Sequence, residues 1–183
     1  MIVACWSGPR NISTALMRSW SSRKDTYVTD EPFYAYYLKK TQIEHPMHEK
    51  IINHYFSDYD KIVNQLISDV PNQKIIWYQK HMAHHLIDLT KIDWIKKCEN
   101  CILLRHPKEV ISSYTAKNKL NSITELGYPQ QFKIAKFLKE SNQRFKIIDS
   151  ADLLENPKKV LLDWCQSINI KFDESMLKWK KGS

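Results

Sequence analysis

The chain has 183 residues, 43% of them hydrophobic and 26% charged, the size and mix of one compact domain with a sizeable core. No stretch approaches the ~20 apolar residues of a membrane-spanning helix, and no secretory leader precedes the first apolar run. The four cysteines are too few and too scattered for a secreted disulfide framework, so the expectation is a cytoplasmic protein with no membrane contact. A formal charge of +8 points to anionic partners. The basic residues are nevertheless spread along the chain, without a basic helix, an aromatic RNA-binding motif or a Cys/His finger, which argues against nucleic acid.

Residues 2–6, an unbroken apolar run, read as a buried strand. A polar turn at 8–14 leads into a helix over 15–20. Residues 27–30 make a second strand, and 32–40 begin like a helix. Residues 44–69 are polar with apolar residues at helical spacing, such as Ile51, Tyr55, Ile62 and Leu66, which predicts two helices outside the sheet, placed like a lid. Residues 74–78 are a third strand, with Gln79-Lys80-His81 expected just after it. Residues 101–105 are a fourth, and Pro107 suits the first turn of the helix that follows, where its missing N–H costs nothing. Residues 145–149 are a fifth. Asn156-Pro157 opens a last helix with Val160, Leu161, Trp164 and Ile168 on its apolar face. This alternation predicts a three-layer α/β sandwich with a parallel sheet of about five strands. Residues 2–6, 74–78 and 101–104 should be its interior strands, buried on both faces.

The turn Gly8-Pro9-Arg10-Asn11-Ile12-Ser13-Thr14 is the most informative stretch. Between a strand and a helix N-terminus it forms an anion site. The first N–H groups of the helix lack partners within it, and the helix dipole adds about half a positive charge there. Arg10 supplies a full charge, Ser13 and Thr14 supply hydroxyls, and Gly8, one of only three glycines, allows a close backbone approach. The alternative is an ordinary helix entry with Ser and Asn as caps. It is not the G-x-x-x-x-G-K-[ST] phosphate loop, because Ile12 and Ser13 stand where the second Gly and the Lys would be. Arg105 falls at the carboxyl end of the fourth strand, the edge where open parallel sheets bind ligands. With Ser113 on the second turn of the next helix, it can grip a second phosphate near the first.

These two segments resemble the sulfotransferase superfamily. Pro9 to Thr14 is similar to its P-[RK]-S-G-[ST]-T loop, with Asn11 and Ile12 in place of Ser and Gly. Arg105-His106-Pro107-Lys108-Glu109 with Ser113 is similar to its R-x-P-x-[DE]-x-x-x-S motif. The resemblance runs from Met1 to about Trp179, and residues 1–183 are expected to be a single sulfotransferase-like domain. It implies a P-loop nucleoside triphosphate hydrolase-like fold and the donor PAPS, released as PAP. Gly8, Pro9, Arg10, Asn11, Ile12, Ser13 and Thr14 would hold the 5′-phosphosulfate, and Arg105 and Ser113 the 3′-phosphate. The partner would be the hydroxyl of a small metabolite or sugar. Lys180-Lys181-Gly182 looks like the start of the family's late R-K-G-x-x-G loop, so the donor-closing loop is expected to be lacking.

Sulfuryl transfer needs a base for the acceptor proton and cations for the leaving group; Arg10, Ser13 and the helix N-terminus suit the second task. Glu31 and His81 are the candidates for the first. Pro32 biases Glu31 toward an extended conformation at the sheet edge, and some relatives carry a similar Glu-Pro pair. The alternative is a helix-start carboxylate. His81 is similar to the family's Lys-x-His histidine, displaced by one residue, and an imidazole titrates near neutrality; the alternative is a histidine satisfying a loop carbonyl. Of the two, Glu31 is the choice. No metal is expected: His81 and His85 would share a helix face, but the H-E-x-x-H pattern and a third ligand are missing, and Cys98 and Cys101 have no second pair. Two other readings remain, a P-loop small-molecule kinase and a non-catalytic relative that binds a phosphorylated ligand. Oligomeric state is not readable from the sequence.

Overall fold

The computed structural model describes residues 1–43 and 47–178. In chain order the elements are β1 (Ile2–Ser7), α1 (Ser13–Ser21), β2 (Thr26–Asp30), α2 (Tyr34–Thr41), α3 (His48–His54) and α4 (Tyr59–Leu66). Then come β3 (Ile76–Met82), β4 (Glu99–Leu104), α5 (Pro107–Thr115), α6 (Tyr128–Glu140), β5 (Phe145–Asp149), α7 (Ser150–Glu155) and α8 (Pro157–Ser167). All strand pairs are parallel, in the order β2-β3-β1-β4-β5. The three expected interior strands are interior. β1 lies at the centre, with Trp6 opposite His81 of β3 and Ile102 of β4.

Alternation along the strands divides the core into two layers. Val3, Cys5, Tyr78 and Leu103 face α1 and α8, where Leu16, Trp20, Leu161 and Trp164 close over them. Ala4, Trp6, Trp77 and Ile102 face the other way, toward Ile62 and Leu66 of α4 and Ile134 and Leu138 of α6. Trp20 packs edge-on against Trp164 with ring centroids 4.9 Å apart. Truncating a buried Trp of this kind to Ala costs about 3–5 kcal/mol.

Three elements depart from expectation. β3 begins two residues later than 74 and runs on to Met82, so Gln79, Lys80 and His81 lie inside the strand. They are tolerated there because each finds a partner. Gln79 Nε2 donates to the Leu66 carbonyl, Lys80 reaches two carboxylates, and the His81 ring meets Gln79 Oε1. Ile75, assigned to the strand, is 69% exposed. The two helices expected in 44–69 are α3 and α4, but α3 buries none of its residues. Helix α6 has no counterpart in the sequence reading. Trp179, Lys180, Lys181 and Gly182, where the late loop was sought, lie outside the described residues. Among the described residues, no helix is long and apolar enough to cross a membrane.

Gly8 has a packing reason rather than a conformational one. Its φ is not in the left-handed region, but a Cβ there would lie 2.2 Å from the Leu126 carbonyl oxygen. The close neighbour is thus the protein's own backbone. Gly8→Ala is expected to cost about 1–3 kcal/mol, read as a lower urea midpoint, and to displace the loop it begins.

Candidate functional site

The site grows from the carboxyl end of β1. The chain continues β1 toward β2 and β3 on one side of the sheet, while β4 and β5 lie on the other. The crevice between β1 and β4 is therefore the point where strand order reverses, the place where such sheets take ligands. Two side-chain amides fasten it. Gln131 Nε2 of α6 donates to the Trp6 and Leu103 carbonyls at 3.1 and 2.9 Å. Asn11 Nδ2 donates to the same Leu103 carbonyl at 3.1 Å. Asn11 is thus a buried anchor of the loop.

The loop then turns tightly. Arg10 and Ile12 have φ of 62° and 55°, a region costly for a β-branched residue, of the order of 1–3 kcal/mol. Ile12 is the N-cap of α1 and provides no side-chain cap; the alternative of a helix entry capped by Ser or Asn is not adopted. Leu16 N–H bonds to the Ile12 carbonyl. The N–H groups of Ser13, Thr14 and Ala15 come before that first helical bond, at the positive end of the dipole. Thr14 is exposed, Ser13 is buried and Pro9 is half-buried.

Arg10, Arg105 and Ser113 meet beside this helix end. Arg10 Nε donates to Ser113 Oγ of α5 at 2.8 Å. Arg105 Nη1 donates to the Arg10 carbonyl at 2.9 Å, and its Nε to Glu109 Oε2 at 2.8 Å. Tyr128 OH donates to the Arg105 carbonyl at 2.8 Å. The guanidinium ends of the exposed Arg10 have no partner among the described residues, so a cationic fork and uncapped N–H groups face the same space.

Glu31 stands at the end of β2. Its N–H extends the sheet ladder to the Lys80 carbonyl at 2.9 Å. Its φ is 46°, so the extended conformation expected before Pro32 is not adopted. The chain bends here instead, and the Glu31 carbonyl accepts from Tyr34 N–H. Lys80 Nζ donates to Asp30 Oδ1 at 2.6 Å and to Glu31 Oε1 at 2.7 Å. Burial works against the Lys80 charge, but Glu31 and Asp30 outweigh it and raise its pKa. Burial, with the Glu31 charge beside it, pushes Tyr34 up to about 12.

His81 does not sit in this company. Strand alternation puts it on the sheet face opposite Lys80, 1% exposed and stacked on Trp6 with centroids 4.2 Å apart. Burial lowers its pKa to about 3, so it does not titrate near neutrality as expected. The shared helix face of His81 and His85 is absent too, because the segment is strand and then a short 3₁₀ turn, Ala83–His85. Among the described residues, no three His, Cys, Asp or Glu side chains are grouped to hold a metal. Cys98 and Cys101 are free and buried.

The sequence reading left Lys80 and Gln131 out of the site. Lys80 had a signal: once Gln79-Lys80-His81 is read as strand, only one of Lys80 and His81 can face the loop side. Gln131 had none, since an amide on a distant helix acts only through the fold.

Comparisons with known proteins bear on the family and the fold. The profile of the sulfotransferase domain matches residues 1–183. Branched-chain-amino-acid aminotransferase-like protein 2 of Arabidopsis thaliana is 31% identical over 181 residues, 99% of this chain. The chain spans about a third (32%) of the length of that relative. Among solved structures, the sulfotransferase domain from the curacin biosynthetic pathway is similar with a TM-score of 0.66 at 16% identity, over 100% of this chain and 78% of that one. Shikimate kinase from Acinetobacter baumannii, in complex with shikimate, has a TM-score of 0.51 at 14% identity, over 88% of this chain and 93% of that one. Both structural likenesses speak for the P-loop-like fold alone, whereas the profile covers the whole chain: it belongs to the sulfotransferase-domain family.

Proposed function

We propose that the protein transfers a sulfuryl group from PAPS to the hydroxyl of a small molecule, in the cytoplasm, with neither nucleic acid nor membrane as partner. The observation that carries this reading is the meeting of Arg10, Arg105 and Ser113, from three different elements, beside the uncapped start of α1. Such a set fits a ligand with two separate anionic groups. PAPS, when bound, supplies the sulfuryl group and leaves as PAP. The N-terminus of α1 with Ser13, Thr14 and the free end of Arg10 would take its 5′ side; Arg105 and Ser113 would take the 3′-phosphate. Glu31, with Oε1 on Lys80 and Oε2 unpartnered among the described residues, would accept the acceptor proton.

Calorimetric titration with PAP and with ATP/Mg²⁺ tests the reading. PAP is expected to bind and ATP/Mg²⁺ to bind weakly, since a kinase needs a Lys on the phosphates that this loop lacks. The reverse order would favour a kinase; no binding of either would favour a non-catalytic relative. A second expectation concerns Ser113. Ser113→Ala should weaken PAP about tenfold and adenosine 5′-phosphate, which lacks the 3′ group, far less. Equal losses measured by the same titration would remove Ser113 from the 3′-phosphate.

A further inference from the structure

We propose that the open edge of β5 takes an extended segment of a partner protein as a sixth strand, one in which basic and apolar residues alternate. β5 is the last strand of the sheet, and among the described residues β4 is the only segment its backbone pairs with. Alternate residues of a strand direct their N–H and C=O groups to opposite edges, so part of the β5 backbone points outward with no strand to meet it. A groove of about 650 Å³ lies along that edge. Residues 146–149 of β5 form one wall, and residues of α7 and α8 form the other. β4 contributes nothing to the lining, which places the groove on the open side of the strand.

Two observations set the chemistry of the occupant. The first is charge. Four carboxylates line the groove, Asp149, Asp152, Glu155 and Asp163, against two lysines, Lys146 and Lys159. Asp149 accepts from Ala151 N–H as the cap of α7. Among the described residues, none of these six side chains is in an ion pair. In a chain of net charge +8 this is a local excess of acid, and it favours a basic segment. A second copy of the chain would bring the same acidic edge against itself. The second observation is alternation. Ile148 is buried toward α8, among Leu161 and Trp164, so Ile147 projects from the opposite face of the sheet, where it is 55% exposed. An added strand sends successive side chains to these two faces. Apolar ones on one face would cover Ile147, and basic ones on the other would reach Asp152, Glu155 and Asp163. Main-chain hydrogen bonds supply the affinity in such an arrangement, and the alternate side chains supply the selectivity.

The test is fluorescence anisotropy on the full chain with three labelled peptides. One is a Lys-Val repeat, one the matching Glu-Val repeat, and one the Lys-Val repeat N-methylated throughout, which keeps its charge and loses every backbone N–H. The Lys-Val repeat is expected to bind about tenfold or more tightly than either of the others. The double variant Glu155→Gln/Asp163→Asn should weaken it about fivefold. Both side chains are exposed, so the urea midpoint of the variant should match that of the parent. No binding of the Lys-Val repeat would overturn the assignment. So would equal binding of the N-methylated peptide, since the groove would then read charge without adding a strand. Equal binding of the Glu-Val repeat, or no loss in the double variant, would place the contact elsewhere on the surface and overturn it too. A dimer that the Lys-Val repeat dissociates, seen by light scattering, would give the edge to a second copy of the chain instead.

Discussion

Glu31→Gln is expected to lower turnover about 100-fold while leaving PAP affinity near that of the parent. Gln keeps the shape and still offers an oxygen to Lys80 Nζ, which the Glu31 carboxylate holds at 2.7 Å, but it cannot take a proton. His81→Gln should cost far less, because His81 is sealed against Trp6 on the other face of the sheet. Steady-state kinetics with PAPS and an acceptor alcohol measure both. Normal turnover in the Glu31 variant, with loss in the His81 variant, would reverse the roles. Normal turnover in both would leave Glu31 as the carboxylate that orders Lys80 and no more.

The second large effect concerns acid. Burial lowers the pKa of His81 to about 3 and of His84 to about 4, and, joined by the His84 charge, lowers that of His85 well below the ordinary value of 6.5. These groups stay neutral in the folded protein at pH values where the unfolded chain takes up protons. Their contribution to stability is therefore complete above pH 6.5 and declines as the pH falls toward the folded values, each by about 1.4 kcal/mol per pH unit. From pH 6.5 to 5 His81 and His84 together lose roughly 3 kcal/mol, and His85 adds to the loss in the same direction. A domain of this size has about 5–15 kcal/mol in all. The urea midpoint should fall steeply between pH 7 and pH 5, and the slope should flatten in His81→Gln. Asp25, whose pKa is lowered from 3.8 by Arg23 despite its partial burial, acts only at lower pH and does not contribute in this window. A midpoint that is flat over the window would mean that the histidines gain water or partners in solution.

What was readable in the sequence follows a physical line. An unbroken apolar run such as 2–6 is a local pattern that a buried strand satisfies, and it forms the body of β1. The Arg10, Arg105 and Ser113 grouping was readable because its motifs carry both residue type and spacing. Polar residues inside a strand were not. Gln79 and Lys80 lie in β3 because Leu66, Asp30 and Glu31 answer them, and those partners are distant in sequence; His81 follows in the strand, its ring meeting Gln79 Oε1. For the same reason the left-handed turn at Glu31 overrode the local preference imposed by Pro32. The protonation of His81 is set by Trp6 and the surrounding core, so residue type alone pointed the wrong way.

The central position of β1 has a consequence for how the chain is made. Ile2 pairs with Trp77 and Val3 with Glu99, so β1 leaves the ribosome well before either neighbour exists. At roughly 5–20 residues per second it waits for several seconds with both edges open. Its apolar residues then have no sheet to enter, and long-range parallel pairing of this kind is slow. The segment buried at the centre of the native sheet is thus the one made with neither edge paired, and the anion loop it carries cannot form until β4 and Gln131 have followed.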